Sequence, residues 1–176
     1  GDVRLVAGRA RQLVGMTISE GELIALAKSG EKTWLLYPRS LGPRGGPVRR
    51  RLAKISASRR RKTLWFSKRR VWWKVNTSNG CDALFTYMND RGPRLVLTKG
   101  AICATNTLHE VTFFPSVTAA DRICCTLSML TTFGQLAAER IGRIYGGGLL
   151  KFELGDARKL PILPTPNKGV EKAFAK

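Results

Sequence analysis

The sequence predicts an α+β fold: a mixed, mainly antiparallel sheet with a long C-terminal helix and short peripheral helices, in one domain over residues 1–165 with a frayed tail at 166–176. Three observations predict it. Short apolar runs between residues 33 and 114 are separated by turn residues, as strands are. Thr118 to Gly142 carries helical periodicity. The chain has 176 residues, 43% of them apolar, which is enough to bury one core.

Ser19-Glu20-Gly21-Glu22 has the spacing of a capping box, Leu23, Leu26 and Ala27 recur at helical spacing, and Gly30 closes the end, so a short helix spans 19–29. Thr33 to Tyr37 reads as a strand stopped by Pro38. A glycine- and proline-rich loop follows, and Pro47 suits a helix start. Val48, Leu52 and Ile55 share one face of that helix, which leaves the intervening bases on the other. Leu64 to Val75 interleaves aromatics with bases; as a strand it points Trp72 and Trp73 to opposite faces. One indole then belongs to the core, and the other stacks on a base, packs on an arginine stem or braces the sheet.

Beyond a turn at 76–80, residues 84–88, 94–98, 101–104 and 108–114 read as strands. Thr118 and Asp121 form a second capping box, and Ile123, Leu127, Leu130, Ala137 and Ile141 mark one face of a helix of about six turns that Gly142 ends. Gly146-Gly147-Gly148 then connects helix to strand, or lets backbone approach a ligand closely. Leu149 to Glu153 is the strand, followed by a short turn or helix at 156–159.

Charge narrows the function. The net charge is +19 and the pI about 10.8. From Arg39 to Lys74 the chain carries fourteen lysines and arginines without one aspartate or glutamate. Such a cluster repels itself unless a polyanion neutralises it. The absence of a long apolar run or hydrophobic signal segment predicts a soluble, cytoplasmic protein. Cys81, Cys103, Cys124 and Cys125 match no common zinc spacing, and the adjacent pair reads as small core residues.

Catalytic signatures are missing. The glycine triplet lacks the lysine and hydroxyl residue of a phosphate loop, His109 has no nucleophile beside it and reads as structural, and the carboxylates show no paired arrangement. A nuclease needs a metal-binding carboxylate cluster that the sequence does not display. An RNA-binding or ribosome-associated basic protein shares the charge and is the alternative reading.

One stretch is more specific. Asn106-Thr107-Leu108-His109-Glu110-Val111, then Glu139-Arg140-Ile141-Gly142-Arg143-Ile144-Tyr145-Gly146-Gly147-Gly148-Leu149-Leu150-Lys151-Phe152-Glu153, then Leu160-Pro161-Ile162-Leu163-Pro164 resembles the C-terminal target recognition domain of TaqI-like and Eco57I-like adenine-N6 DNA methyltransferases of restriction-modification systems. The likeness covers about Trp65 to Pro164, with Arg70 to Val75 and Pro93 to Leu97 fitting upstream.

The resemblance implies double-stranded DNA as partner, together with a methyltransferase catalytic domain in cis or in trans that binds S-adenosylmethionine. It implies no cofactor in this chain: the Asn/Asp-Pro-Pro-Tyr/Phe tetrapeptide that holds a flipped adenine is absent, as is any Pro-Pro dipeptide. Arg49, Arg50, Arg51, Lys54, Arg59, Arg60, Arg61, Lys62, Lys68, Arg69 and Arg70 are expected on phosphates, with one or two arginines reading guanine. Trp72 joins them as the stacking candidate. Asn106, His109, Arg140, Arg143 and Tyr145 are motif positions that either line a face toward DNA or the catalytic domain, or brace the fold. Glu139 and Arg143 have the spacing of a helical ion pair.

Overall fold

The structure, a computed structural model, describes residues 2–163, so Pro164 and the predicted tail at 166–176 lie outside the described residues. In chain order its elements are β1 (Val3–Ala7), β2 (Thr17–Ser19), α1 (Glu20–Lys28), β3 (Trp34–Leu36), α2 (Pro47–Ala53), α3 (Ala57–Lys62), α4 (Leu64–Ser67), β4 (Ala83–Thr86), β5 (Met88–Asn89), β6 (Leu95–Lys99), β7 (Cys103–Ala104), β8 (Leu108–Val111), α5 (Ala119–Ser128), α6 (Thr132–Ile141), β9 (Arg143–Tyr145), β10 (Leu149–Lys151) and α7 (Leu154–Ala157). The class is α+β with mixed, mostly antiparallel sheets. Two compact units divide the chain. The smaller consists of the described residues up to Arg4 with Trp34–Thr77, the larger of Leu5–Thr33 with the described residues from Ser78 on.

In the larger unit a four-stranded sheet runs β2-β6-β4-β8, with β2 parallel to β6 and the other neighbours antiparallel. Leu84 lies opposite Val96 on one side and Glu110 on the other. Side chains alternate between faces. Leu84 and Val96 therefore enter a core with Leu13, Ile18, Leu23 and Ile102, whereas Ala83, Phe85 and Leu95 enter a second with Met129, Ala138, Phe152 and Leu160. Burial on both faces explains why Ala83-Leu84-Phe85 is apolar without interruption. A second antiparallel sheet runs β5-β10-β9, and β1 pairs in parallel with β7 at Val6–Cys103 and Ala7–Ala104. The predicted capping box of α1 is present: the Glu22 amide donates to Ser19 Oγ at 3.2 Å, and the Ser19 amide donates to Glu22 Oε2 at 2.8 Å.

The single long C-terminal helix is replaced by two helices. Thr118 and Asp121 do cap α5, but the chain leaves the helix at Met129, and Thr131 starts α6 by accepting the Gly134 amide at 3.0 Å. Ser128 Oγ turns back to the Cys124 carbonyl at 2.7 Å, a local bond of the kind that competes with helix continuation. A Cβ at position 134 would overlap the Ser128 carbonyl oxygen, so the tight junction requires glycine there. Met129 is buried at the junction, while Leu130, expected on the inner face, is 48% exposed.

Two further readings change. Leu64 to Val75 is not a strand: Leu64–Ser67 is helical, and Trp72 and Trp73 lie in a turn that the Lys74 amide closes onto the Val71 carbonyl at 3.0 Å. Interleaved aromatics and bases mimic a strand, but the Ser56 cap and the bonds from the Phe66 and Ser67 amides to the Thr63 carbonyl set helical turns. The glycine triplet joins β9 to β10 as a hairpin loop, strand to strand instead of helix to strand. Gly147 and Gly148 both sit at φ 78°, where other residues are strained.

Candidate nucleic-acid interface

In the smaller unit, Pro47 opens α2 and its buried residues are Val48 and Leu52, one turn apart, so Arg49, Arg50 and Arg51 are all exposed, as is Lys54 just beyond. Arg49 Nε donates to the Gly42 carbonyl at 3.0 Å and ties down the glycine-rich loop. Ser56 caps α3 by accepting the Arg59 amide at 3.2 Å, and Thr63 Oγ1 donates to the Arg59 carbonyl at 2.8 Å at the other end. Arg59, Arg61 and Lys62 project outward, and the C-terminal end of a helix favours such cations. Lys68 and Arg70 are exposed and Arg69 half-buried.

Arg60 differs. Its guanidinium lies 4.8 Å from the centre of the Trp72 ring, and its buried Nε has no hydrogen-bond partner. Trp72 in turn packs edge-on against Phe66 at 5.6 Å and 79°. A cleft of about 480 Å³ is lined by Arg49, Leu52, Ile55, Arg60, Trp72 and Trp73 among others. Among the described residues none of the fourteen bases from Arg39 to Lys74 makes an ion pair. That concentration of unneutralised charge attracts phosphate backbones strongly, and salt screens it.

The motif positions belong to the larger unit. His109 lies opposite Phe85 in β8, its ring stacked on Phe85 at 6.3 Å and edge-on to Tyr87 at 5.1 Å. His109 Nε2 donates to the carbonyl of fully buried Phe152 at 2.7 Å, which braces β8 against the end of β10. Asn106 is exposed in the turn between β7 and β8, and Arg140 is exposed in the last turn of α6. Arg143 does not pair with Glu139. Helix α6 stops at Ile141, so the i, i+4 geometry is never reached, and Arg143 Nε meets Asp156 Oδ2 at 2.9 Å instead.

Burial pushes the Asp156 carboxyl up, but the bonds from Arg143 and the Glu153 amide, with the charges of Arg143 and Lys159, outweigh it and hold the group below the usual carboxylate range. Tyr145 is exposed, with Lys151 Nζ 5.3 Å from its ring centre and the same distance from Tyr87. Glu153 Oε1 accepts from Lys151 at 2.8 Å and from Tyr87 at 3.1 Å. Those bonds raise the Lys151 pKa and lower that of Glu153. Tyr87, Lys151 and Asp156 were missed as motif partners. One signal was available: Glu153-x-x-Asp156 has capping-box spacing, and the box forms at the start of α7.

The basic cluster and the motif positions thus fall in different units: the bases from Arg39 to Lys74 in one, and Asn106, His109, Arg140, Arg143 and Tyr145 in the other. Among the described residues no group of histidine, cysteine or acidic side chains could hold a metal ion, and no helix is long and apolar enough to cross a membrane. The glycine-rich segment is a hairpin loop, whereas the cofactor loop of a Rossmann-like domain links a strand to a helix.

Over residues 2–176 the sequence matches the family described as Type II methyltransferase M.Eco57I, C-terminal domain. The chain belongs to that family. No curated protein and no solved structure matches it. Membership sets the chain in a Type II methyltransferase, the restriction-modification context that the Asn106 to Pro164 pattern implied. It also gives the hairpin network a family setting, since Arg143, Tyr145, Lys151 and Glu153 all lie in the segment that carried the resemblance.

Proposed function

We propose that this domain recognises a specific sequence in double-stranded DNA for an adenine-N6 methyltransferase of a restriction-modification system. The observation that carries the reading is the smaller unit: fourteen bases, most of them exposed and none in an ion pair among the described residues, in a member of a methyltransferase C-terminal family. Lysines and arginines there hold phosphates and set register; base discrimination comes from fewer side chains reaching groove edges. Asn106, Arg140 and Tyr145, which are exposed, serve as contacts to DNA or to the catalytic domain. The catalytic domain, in cis or in trans, supplies the S-adenosylmethionine site and the chemistry on a flipped adenine. The setting is the cytoplasm.

Titration with duplex DNA across salt concentrations tests the reading. Neutralising about 6–10 phosphates costs roughly a thousandfold or more in affinity between 50 and 200 mM salt. Preference for structured RNA over duplex, or no duplex binding at low salt, sinks it.

A further inference from the structure

Trp72 was the aromatic candidate for DNA contact, with base stacking one of its open roles, but that indole is occupied by Phe66 on one side and Arg60 on another. A different tryptophan is free. In α4, Phe66 turns toward Trp72 while Leu64 is 57% and Trp65 62% exposed. The turn presenting them is closed by the Phe66 amide on the Thr63 carbonyl at 2.9 Å and the Lys68 amide on the Leu64 carbonyl at 3.1 Å. Arg61 and Lys62 before it, and Lys68 and Arg70 after it, are exposed.

Lone exposed apolar residues need no explanation, but a leucine–tryptophan pair framed by unpaired cations does. The frame disfavours a basic or purely apolar partner and suits one that offers phosphates around an apolar centre. Duplex DNA has that pattern: stacked bases between two phosphate ridges.

We propose that Trp65, with Leu64, is an apolar wedge that packs against a base step of duplex DNA while Arg61, Lys62, Lys68 and Arg70 hold the flanking phosphates; this rests on the duplex-binding reading above. Wedges of this kind partly unstack a step and bend the duplex, so they favour flexible steps and add sequence preference without hydrogen bonds to bases. Trp65 and Leu64 thereby join the interface, and Trp72 becomes the support behind them.

The test uses the full chain and a mixed-sequence duplex with fluorophores at both ends. Trp65→Ala and Trp65→Lys each lower affinity about tenfold and abolish the bend seen by energy transfer, while Trp65→Phe retains most of both. The salt slope of Trp65→Ala stays as in the parent, because no phosphate contact is lost; Lys68→Ala lowers it by about 1. Circular dichroism of each variant matches the parent, since the side chain is exposed. Unchanged affinity of Trp65→Ala, or tighter binding by Trp65→Lys as an added charge alone would give, overturns the wedge and leaves duplex binding standing. Parent protein that binds no duplex overturns both. A Trp65 effect confined to structured RNA overturns the wedge at a base step of duplex DNA.

Discussion

The two units handle charge and burial in opposite ways. In the larger, the four-stranded sheet is covered on both faces, and Arg11, Arg122, Arg143 and Lys151 each meet a carboxylate. In the smaller, the buried aliphatic side chains are Val48 and Leu52, and among the described residues the bases from Arg39 to Lys74 meet no carboxylate. The difference is between a part whose contacts are satisfied internally and a part whose charge is left for a partner. Stability should therefore reside mainly in the first, and affinity in the second.

The largest break in that contrast comes from Phe152→Ala. Phe152 is fully buried, packs edge-on against Phe85 and carries the carbonyl that accepts from His109. Its truncation is expected to cost about 3–5 kcal/mol by denaturant unfolding. Replacing Arg49, Arg50 and Arg51 together with alanine acts on the other side: duplex affinity at low salt falls roughly tenfold or more and the salt slope by about 3. The melting temperature changes little, because the repulsion relieved in a stretch that has no acidic residue from Arg39 to Lys74 offsets the lost bond from Arg49 to the Gly42 carbonyl. A matching loss of stability would show that the bases support the fold as well.

Asp156→Asn gives the smallest effect, a lower melting temperature at neutral pH with duplex affinity unchanged. The sign follows from the lowered pKa values of Asp156 and Glu153, which mean that their contribution is present at neutral pH and lost as pH falls through the folded-state values, below the usual carboxylate range. Parent stability should therefore drop steeply on the acid side and the variant's less so. Identical acid profiles would show that the Arg143–Asp156 pair contributes nothing at the hairpin.

Much of this contrast was legible in the chain. Unbroken positive charge from Arg39 to Lys74 survives any folding, and Val48 and Leu52 at one-turn spacing had to turn the arginines between them outward. The capping boxes at Ser19 and Thr118 form as read, because their bonds are local. The resemblance from Asn106 onward led to the family. Less legible was the break between α5 and α6, since apolar spacing continues through Met129 while a serine back-bond and the Thr131 cap end one helix and begin another. Nor does local pattern announce β1 and β2, whose parallel partners β7 and β6 lie far along the chain.

By itself the sequence determined the charge, the caps, the α+β class and the family, all of which depend on composition, on near neighbours or on motif order. Tertiary structure alone decided which aromatic is spent and which is free. Trp65 and Trp72 sit in the same basic stretch, and nothing in their immediate neighbours separates them. Phe66 and Arg60 close on Trp72 because short helical turns, not a strand, bring them there, and that leaves Trp65 facing outward among the bases.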